Sequence, residues 1–138
     1  ETRELAFDTI EFNRKINAND RNAYAFTPFH GTPLRTLCED LDFVNKNDIC
    51  ESFVANGSLL DMPQFTRDEV NGLSKTFNMY VNFPENRWKE IRLAEKNTKE
   101  GNKIYSELRD EFIQTFWRDG ISFGAPHDYQ EEIYTSTN

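Results

Sequence analysis

The stretch Asn22–Arg35 reads NAYAFTPFHGTPLR and constrains the fold more than any other part of the chain. Ala23–Phe26 is short, apolar and aromatic, the pattern of a buried strand running to Thr27. Pro28, His30 and Gly31 then make a turn that no regular element passes through intact. Thr32-Pro33 opens a helix, with Thr as N-cap and Pro at the first helical position. Helical sequence precedes the strand and follows it, so the order is α-β-α, a slice of a repeating βα architecture. Strand ends of this kind are where α/β proteins usually bind ligands.

The flanking segments read mostly as helix. Thr2–Ile16 is amphipathic, with Leu5, Thr9, Phe12 and Ile16 as the expected buried stripe and Ala6 and Ile10 widening it. Thr2 is its N-cap, and Glu4 complements the helix dipole. Asn17–Asn22 reads as a polar loop. A second helix is expected over Pro33–Leu41, buried along Leu34, Leu37, Cys38 and Leu41. Asp42–Pro63 is irregular, with short extended pieces expected at Phe43-Val44 and Ser52–Ala55. Thr66-Arg67-Asp68-Glu69 is a capping box. It opens a helix with Val70, Leu73, Phe77, Tyr80 and Val81 on its apolar face. Pro84 restarts a helix to about Glu95, anchored by Trp88, Ile91 and Leu93. Thr98–Gly101 is a turn or cap, and Lys103–Trp117 a last helix packed through Ile104, Leu108, Phe112 and Phe116. Beyond Gly120 the sequence is polar and mixed, and the last dozen residues are expected to be loosely held.

Composition narrows the function classes. The chain has 138 residues, enough for one domain with a modest core, and 12 Phe, 5 Tyr and 2 Trp to fill it. Its net charge of −8 and the lack of any uninterrupted basic run argue against nucleic acid or an anionic membrane as partner. No apolar run approaches the ~20 residues of a membrane span, and no signal-peptide pattern is present. A cytoplasmic location follows. The first residue is not Met, which suggests a piece of a longer protein or a mature product, and the lack of a strand before the first helix favours the piece. No internal repeat is visible, and the composition shift at Asp61–Phe65 is too short and too poor in Gly and Ser for a flexible linker.

His30 is the first candidate for chemistry, as a general acid or base or as a donor to substrate. The alternative is a loop histidine bonded only to backbone. His127 lies in the polar tail and reads as solvent-exposed. Cys38 and Cys50, twelve apart, fit neither a CxxC nor a metal-ribbon spacing and read as free, partly buried thiols. A disulfide or a metal pair is the alternative. There is no HExxH, GxSxG, phosphate loop or GxGxxG. Asp68-Glu69, Asp110-Glu111 and Glu131-Glu132 read as solvated faces and dipole partners. The aromatic stripe Phe77, Tyr80, Trp88, Phe112, Phe116 and Trp117 reads as core, with a hydrophobic site as the alternative. From these residues alone no complete active site is apparent.

Residues Glu1–Pro33 resemble the late part of the catalytic barrel of radical S-adenosylmethionine enzymes, in the group whose members carry a cobalamin-binding domain. The residues that carry the resemblance are the helix start Glu1-Thr2-Arg3-Glu4 and the motif Tyr24–Leu34, YAFTPFHGTPL. Asp61–Asn86 is similar to the helical C-terminal extension of the same group, so the resemblance covers most of Glu1–Leu108.

What the resemblance implies is concrete. The fold class is an α/β edge, the last helix–strand–helix of a partial TIM-like barrel over residues 1–60. A helical extension over 61–118 and a polar tail over 119–138 complete a chain that is predominantly α. In the family a 4Fe-4S cluster cleaves S-adenosylmethionine to a 5′-deoxyadenosyl radical, and cobalamin-linked members often transfer a methyl group. Backbone groups near Phe26, Thr27 and Pro28 would meet the adenine, and His30 would point toward the site. The family's CxxxCxxC motif is absent here, as are its glycine-rich strands and any cobalamin domain. The chain is therefore expected to carry no cofactor by itself and to be inactive alone. Its expected partner is the rest of the parent barrel, with a homodimer through an exposed strand edge as a corollary. The rival reading is a stand-alone acidic helical module that binds a basic or amphipathic partner.

Overall fold

The computed structural model describes residues 1–16, 21–49 and 57–116. Within them the chain is predominantly helical. The helices are α1 (Arg3–Lys15), α2 (Pro33–Asp40), α3 (Arg67–Asn82), α4 (Trp88–Ala94) and α5 (Lys99–Phe116), with a 3-10 turn, Glu85–Arg87, leading into α4.

Local chemistry sets most of the helix starts. Thr2 accepts from the Leu5 amide and caps α1. Thr66 and Glu69 form the reciprocal capping box that opens α3. The Glu69 carboxyl accepts from both the amide and the hydroxyl of Thr66, and these bonds hold it below its ordinary range. α5 begins earlier than Lys103, because Thr98 accepts from the Gly101 amide at 3.1 Å and so caps it. Pro84 lies just before the 3-10 turn and is not the first residue of an α-helix.

α3 is the central element, packed by α1, α4 and α5. Its buried face carries Leu73, Phe77, Tyr80 and Val81, as its periodicity predicts. Ile10 from α1, Ile91 and Ala94 from α4, and Leu108 and Phe112 from α5 complete the core. Aromatic rings meet edge to face: Phe7 with Tyr80 at 5.0 Å and with Trp88 at 5.5 Å, and Phe83 with Phe116 at 5.6 Å. α3 has no basic residue in its last turn. Arg14 of α1 supplies the cation, its Nη1 lying 2.6 Å from the Tyr80 carbonyl and 2.8 Å from that of Phe83.

A partly buried polar knot ties α1 to α3 and α4. Glu95 Oε1 accepts from Arg3 Nη2 at 2.6 Å and from the Tyr80 hydroxyl at 2.5 Å. Burial, and then the bond to Glu95, push the Tyr80 phenol well above its ordinary value of 10.0. A folded-state pKa above the unfolded one means stability that is complete below pH 10 and lost as pH rises beyond it. Tyr80→Phe is expected to lower stability at neutral pH by about 1.5–3 kcal/mol and to flatten the decline above pH 10. Chemical denaturation from pH 8 to 11 measures both effects.

Several expectations are corrected. Ala23–Thr27 runs without a ladder partner, so the α/β edge is not formed among the described residues; the one isolated bridge there is the local Met62–Phe65 pair. A lone segment has no neighbouring strand to complete its hydrogen bonds. The expected buried stripe of α1 is met only in part: Ala6 and Ile10 pack into the core beside Phe7, whereas Leu5, Phe12 and Ile16 are exposed. In α2, likewise, Leu34, Leu37 and Leu41 are exposed and Cys38 is buried with Val44 and Leu60. Both helices are apolar on two sides, and hydrophobic spacing does not say which side meets the core. Leu93 of α4 is exposed for the same reason. Phe43-Val44 is a bend. Ser52–Ala55, Cys50, Trp117, His127 and the tail lie outside the described residues. No helix among the described residues is long and apolar enough to cross a membrane.

Candidate functional site

The Asn22–Arg35 stretch builds the candidate site. Along Ala23–Thr27 exposure alternates: Tyr24 and Phe26 face outward, whereas Ala23, Ala25 and Thr27 face the protein. This is the period of extended chain. The Ser74 hydroxyl of α3 donates to the Ala23 carbonyl at 3.2 Å and pins the start of the segment. Further on, neither the amide nor the carbonyl of Phe26 is hydrogen-bonded among the described residues. Its ring is half exposed.

The turn that follows is held from several directions. Gly31 has φ +80°, where a Cβ would be strained. Thr32 donates its hydroxyl to the Phe29 carbonyl at 2.7 Å and accepts from the Arg35 amide at 3.2 Å, which closes the turn and caps α2 together. Arg35 is 2% exposed. Its guanidinium donates to Glu39 at 2.5 Å, to the Asn45 carbonyl at 2.8 Å and to the Pro28 carbonyl at 3.4 Å. The Glu39 carboxyl is drawn below its ordinary range, first by the bond from Arg35.

A groove of about 380 Å³ runs along the extended segment. Leu60, Met62 and Phe65, from the stretch that leads into α3, line it, with Leu73 and Phe77 from α3. Glu1, Thr9, Asn13, Asn22 and Ser74 supply polar atoms around it. Its volume suits a small organic ligand, and its mixture of apolar wall and a few polar groups is typical of such sites.

The structure separates the four residues singled out from the sequence. Phe26 lines the groove. Thr27 and Pro28 are buried and do not line it. His30 is exposed, outside the groove, with Nε2 3.3 Å from the Lys46 carbonyl. Of the two readings of His30, this contact matches the backbone-bonded loop histidine.

Arg35 was not legible as a buried residue. The signal available for it was the spacing Arg35–Glu39, a helical i,i+4 pair, but arginine in a short helix is ordinarily solvated. The polar groove residues come from three separate elements, so no local motif marks them.

Among the described residues no group of three or more His, Cys, Asp or Glu could hold a metal ion. Cys38 is a buried free thiol. The chain has two cysteines in all, so it cannot supply the three thiolates of a CxxxCxxC cluster motif. The donor set does not fit a 4Fe-4S cluster. The unpaired Phe26 backbone does fit a ligand that presents both a donor and an acceptor, as an adenine edge does. The chain matches no protein-family model, no curated protein and no solved structure.

Proposed function

We propose that this chain is the C-terminal part of a radical S-adenosylmethionine enzyme of the cobalamin-binding-domain group, closing the barrel and supplying one wall of the cofactor site. The observation that carries the reading is a run of three consecutive elements that leave apolar faces uncovered. α1 exposes Leu5 and Phe12, the extended segment and turn expose Tyr24, Phe26 and Phe29, and α2 exposes Leu34, Leu37 and Leu41. In contrast, α3 and α5 bury their main apolar faces. A self-sufficient monomer seldom leaves so many large side chains uncovered in neighbouring elements. A slice of a larger α/β layer would, because its two helices and its strand each lose a partner. The resemblance implies the order helix, strand, turn, helix; here the strand position is extended chain without a ladder partner.

In such an enzyme the cluster and bound S-adenosylmethionine supply a 5′-deoxyadenosyl radical. This chain's own part is to hold backbone at Phe26 toward the adenine, fix the Pro28–Thr32 turn and exclude water with the Phe26 ring. The cluster itself belongs to other residues of the parent, and no step is assigned to Cys38 or Cys50.

The test begins with the reading frame upstream of Glu1, which is expected to encode CxxxCxxC. The full-length polypeptide, reconstituted anaerobically with iron and sulfide and then reduced, is expected to convert S-adenosylmethionine to 5′-deoxyadenosine. A frame without the three-cysteine motif overturns the reading and leaves the acidic helical interaction module in its place.

A further inference from the structure

We infer that Arg35 is the positioning residue of the turn that follows the groove-lining Phe26, fixing Pro28–Thr32 against the Asn45-Lys46 loop; this rests on the reading proposed above. Among the described residues, the guanidinium is the one group bonded to all three sides of the junction. It reaches back past the start of α2 to the Pro28 carbonyl, across to the carbonyls of Asn45 at 2.8 Å and Lys46 at 3.4 Å, and along α2 to Glu39. His30 Nε2 lies 3.3 Å from the same Lys46 carbonyl, so turn and loop share one acceptor. At 2% exposure, Arg35 has no water to replace any of these partners.

Burying a guanidinium is costly and is sustained only when its donors are met. A planar fork with five N–H donors can satisfy acceptors on several sides of its plane at fixed angles. The ammonium of lysine is a single point and serves one or two of them at that distance. Arg35→Lys keeps the charge and the pair with Glu39 but releases either the turn or the loop. The turn carbonyl that Arg35 holds belongs to Pro28, two residues from the Phe26 backbone that would read adenine. Loosening it displaces a binding surface and removes no reacting group.

Binding of S-adenosylmethionine to the full-length polypeptide, measured by titration calorimetry, tests this. Arg35→Lys is expected to weaken binding at least tenfold, with faster hydrogen exchange at Phe29, Gly31 and Thr32 and little change in α5. In turnover the same variant is expected to raise KM while kcat stays within about threefold, the pattern of lost uniform binding. A merely structural role would lower thermal stability and leave affinity unchanged, and that result overturns the inference. Glu39→Gln, which leaves the guanidinium in place but removes its carboxylate partner, should move affinity in the same direction by a smaller factor. It decides the matter if Arg35→Lys does not fold, an unchanged affinity then counting against. Wild-type protein that binds no S-adenosylmethionine overturns the parent reading and this inference together; wild-type binding with unaltered variants overturns this inference alone.

Discussion

Gly101→Ala is expected to destabilise the helical core by several kcal/mol, although alanine is ordinarily the better helix former by about 1 kcal/mol. Gly101 sits in the first turn of α5 and is buried against the end of α4. A Cβ built there would lie 2.8 Å from the Leu93 carbonyl and closer still to that of Lys96. Both are backbone atoms and cannot swing aside as a side chain would. To admit a methyl group, α5 must move away from α4, which opens contacts around Ala94, Ile91 and Leu108, each nearly inaccessible to solvent. Overpacking of this kind typically costs about 1–3 kcal/mol, and more when backbone must shift. The propensity gain is smaller, so the clash wins. Thermal unfolding followed by far-UV circular dichroism checks it, and an unchanged or raised Tm would count against the close approach of α4 and α5.

The second large effect is expected at Phe112. Its side chain is 1% exposed and packs against Phe83 and Phe116 at 6.1 and 5.1 Å. Phe112→Ala removes a whole ring from the middle of α5 and is expected to cost about 3–5 kcal/mol, lost transfer energy plus the residual cavity. For a domain with total stability of about 5–15 kcal/mol this is a large share. Phe112→Leu keeps most of the volume and should lose less than half as much. Urea unfolding of the two variants gives the comparison, and equal losses would show that ring shape, not volume, is what the core needs.

The contrast between these two sites shows what was legible. Phe112 falls on the Ile104–Leu108–Phe112–Phe116 stripe, which the spacing alone places on one face, and α3 is marked with equal clarity by Thr66–Glu69 and Leu73–Phe77–Tyr80. Those signals are local, and a capping box or a helical stripe needs no distant partner to be recognised. Gly101, by comparison, reads as a turn or cap residue. Only the approach of α4 shows that it lies inside a helix and why the position has no room for a side chain.

The same limit governs the first half of the chain. Ala23–Thr27 has the composition of a strand, and its side chains alternate as a strand's do. A strand, however, is completed by another chain segment, and none lies beside this one among the described residues. In α1 and α2 the sequence offers two apolar sides and no ranking between them. Packing against α3 selects Phe7 and Ile10 over Leu5 and Phe12, and the loop at Val44 selects Cys38 over Leu37.

By itself, then, the sequence determined the local elements: where helices begin, which residues cap them, and the turn at Pro28–Thr32 with its required glycine. Tertiary structure alone decided which apolar face is buried, that Arg35 becomes a buried clamp, and that Phe26 lines a groove while His30 does not. The reason is physical. Caps and turns are settled within one helical turn by hydrogen bonds and backbone sterics, whereas burial is a property of pairs of surfaces far apart in the chain.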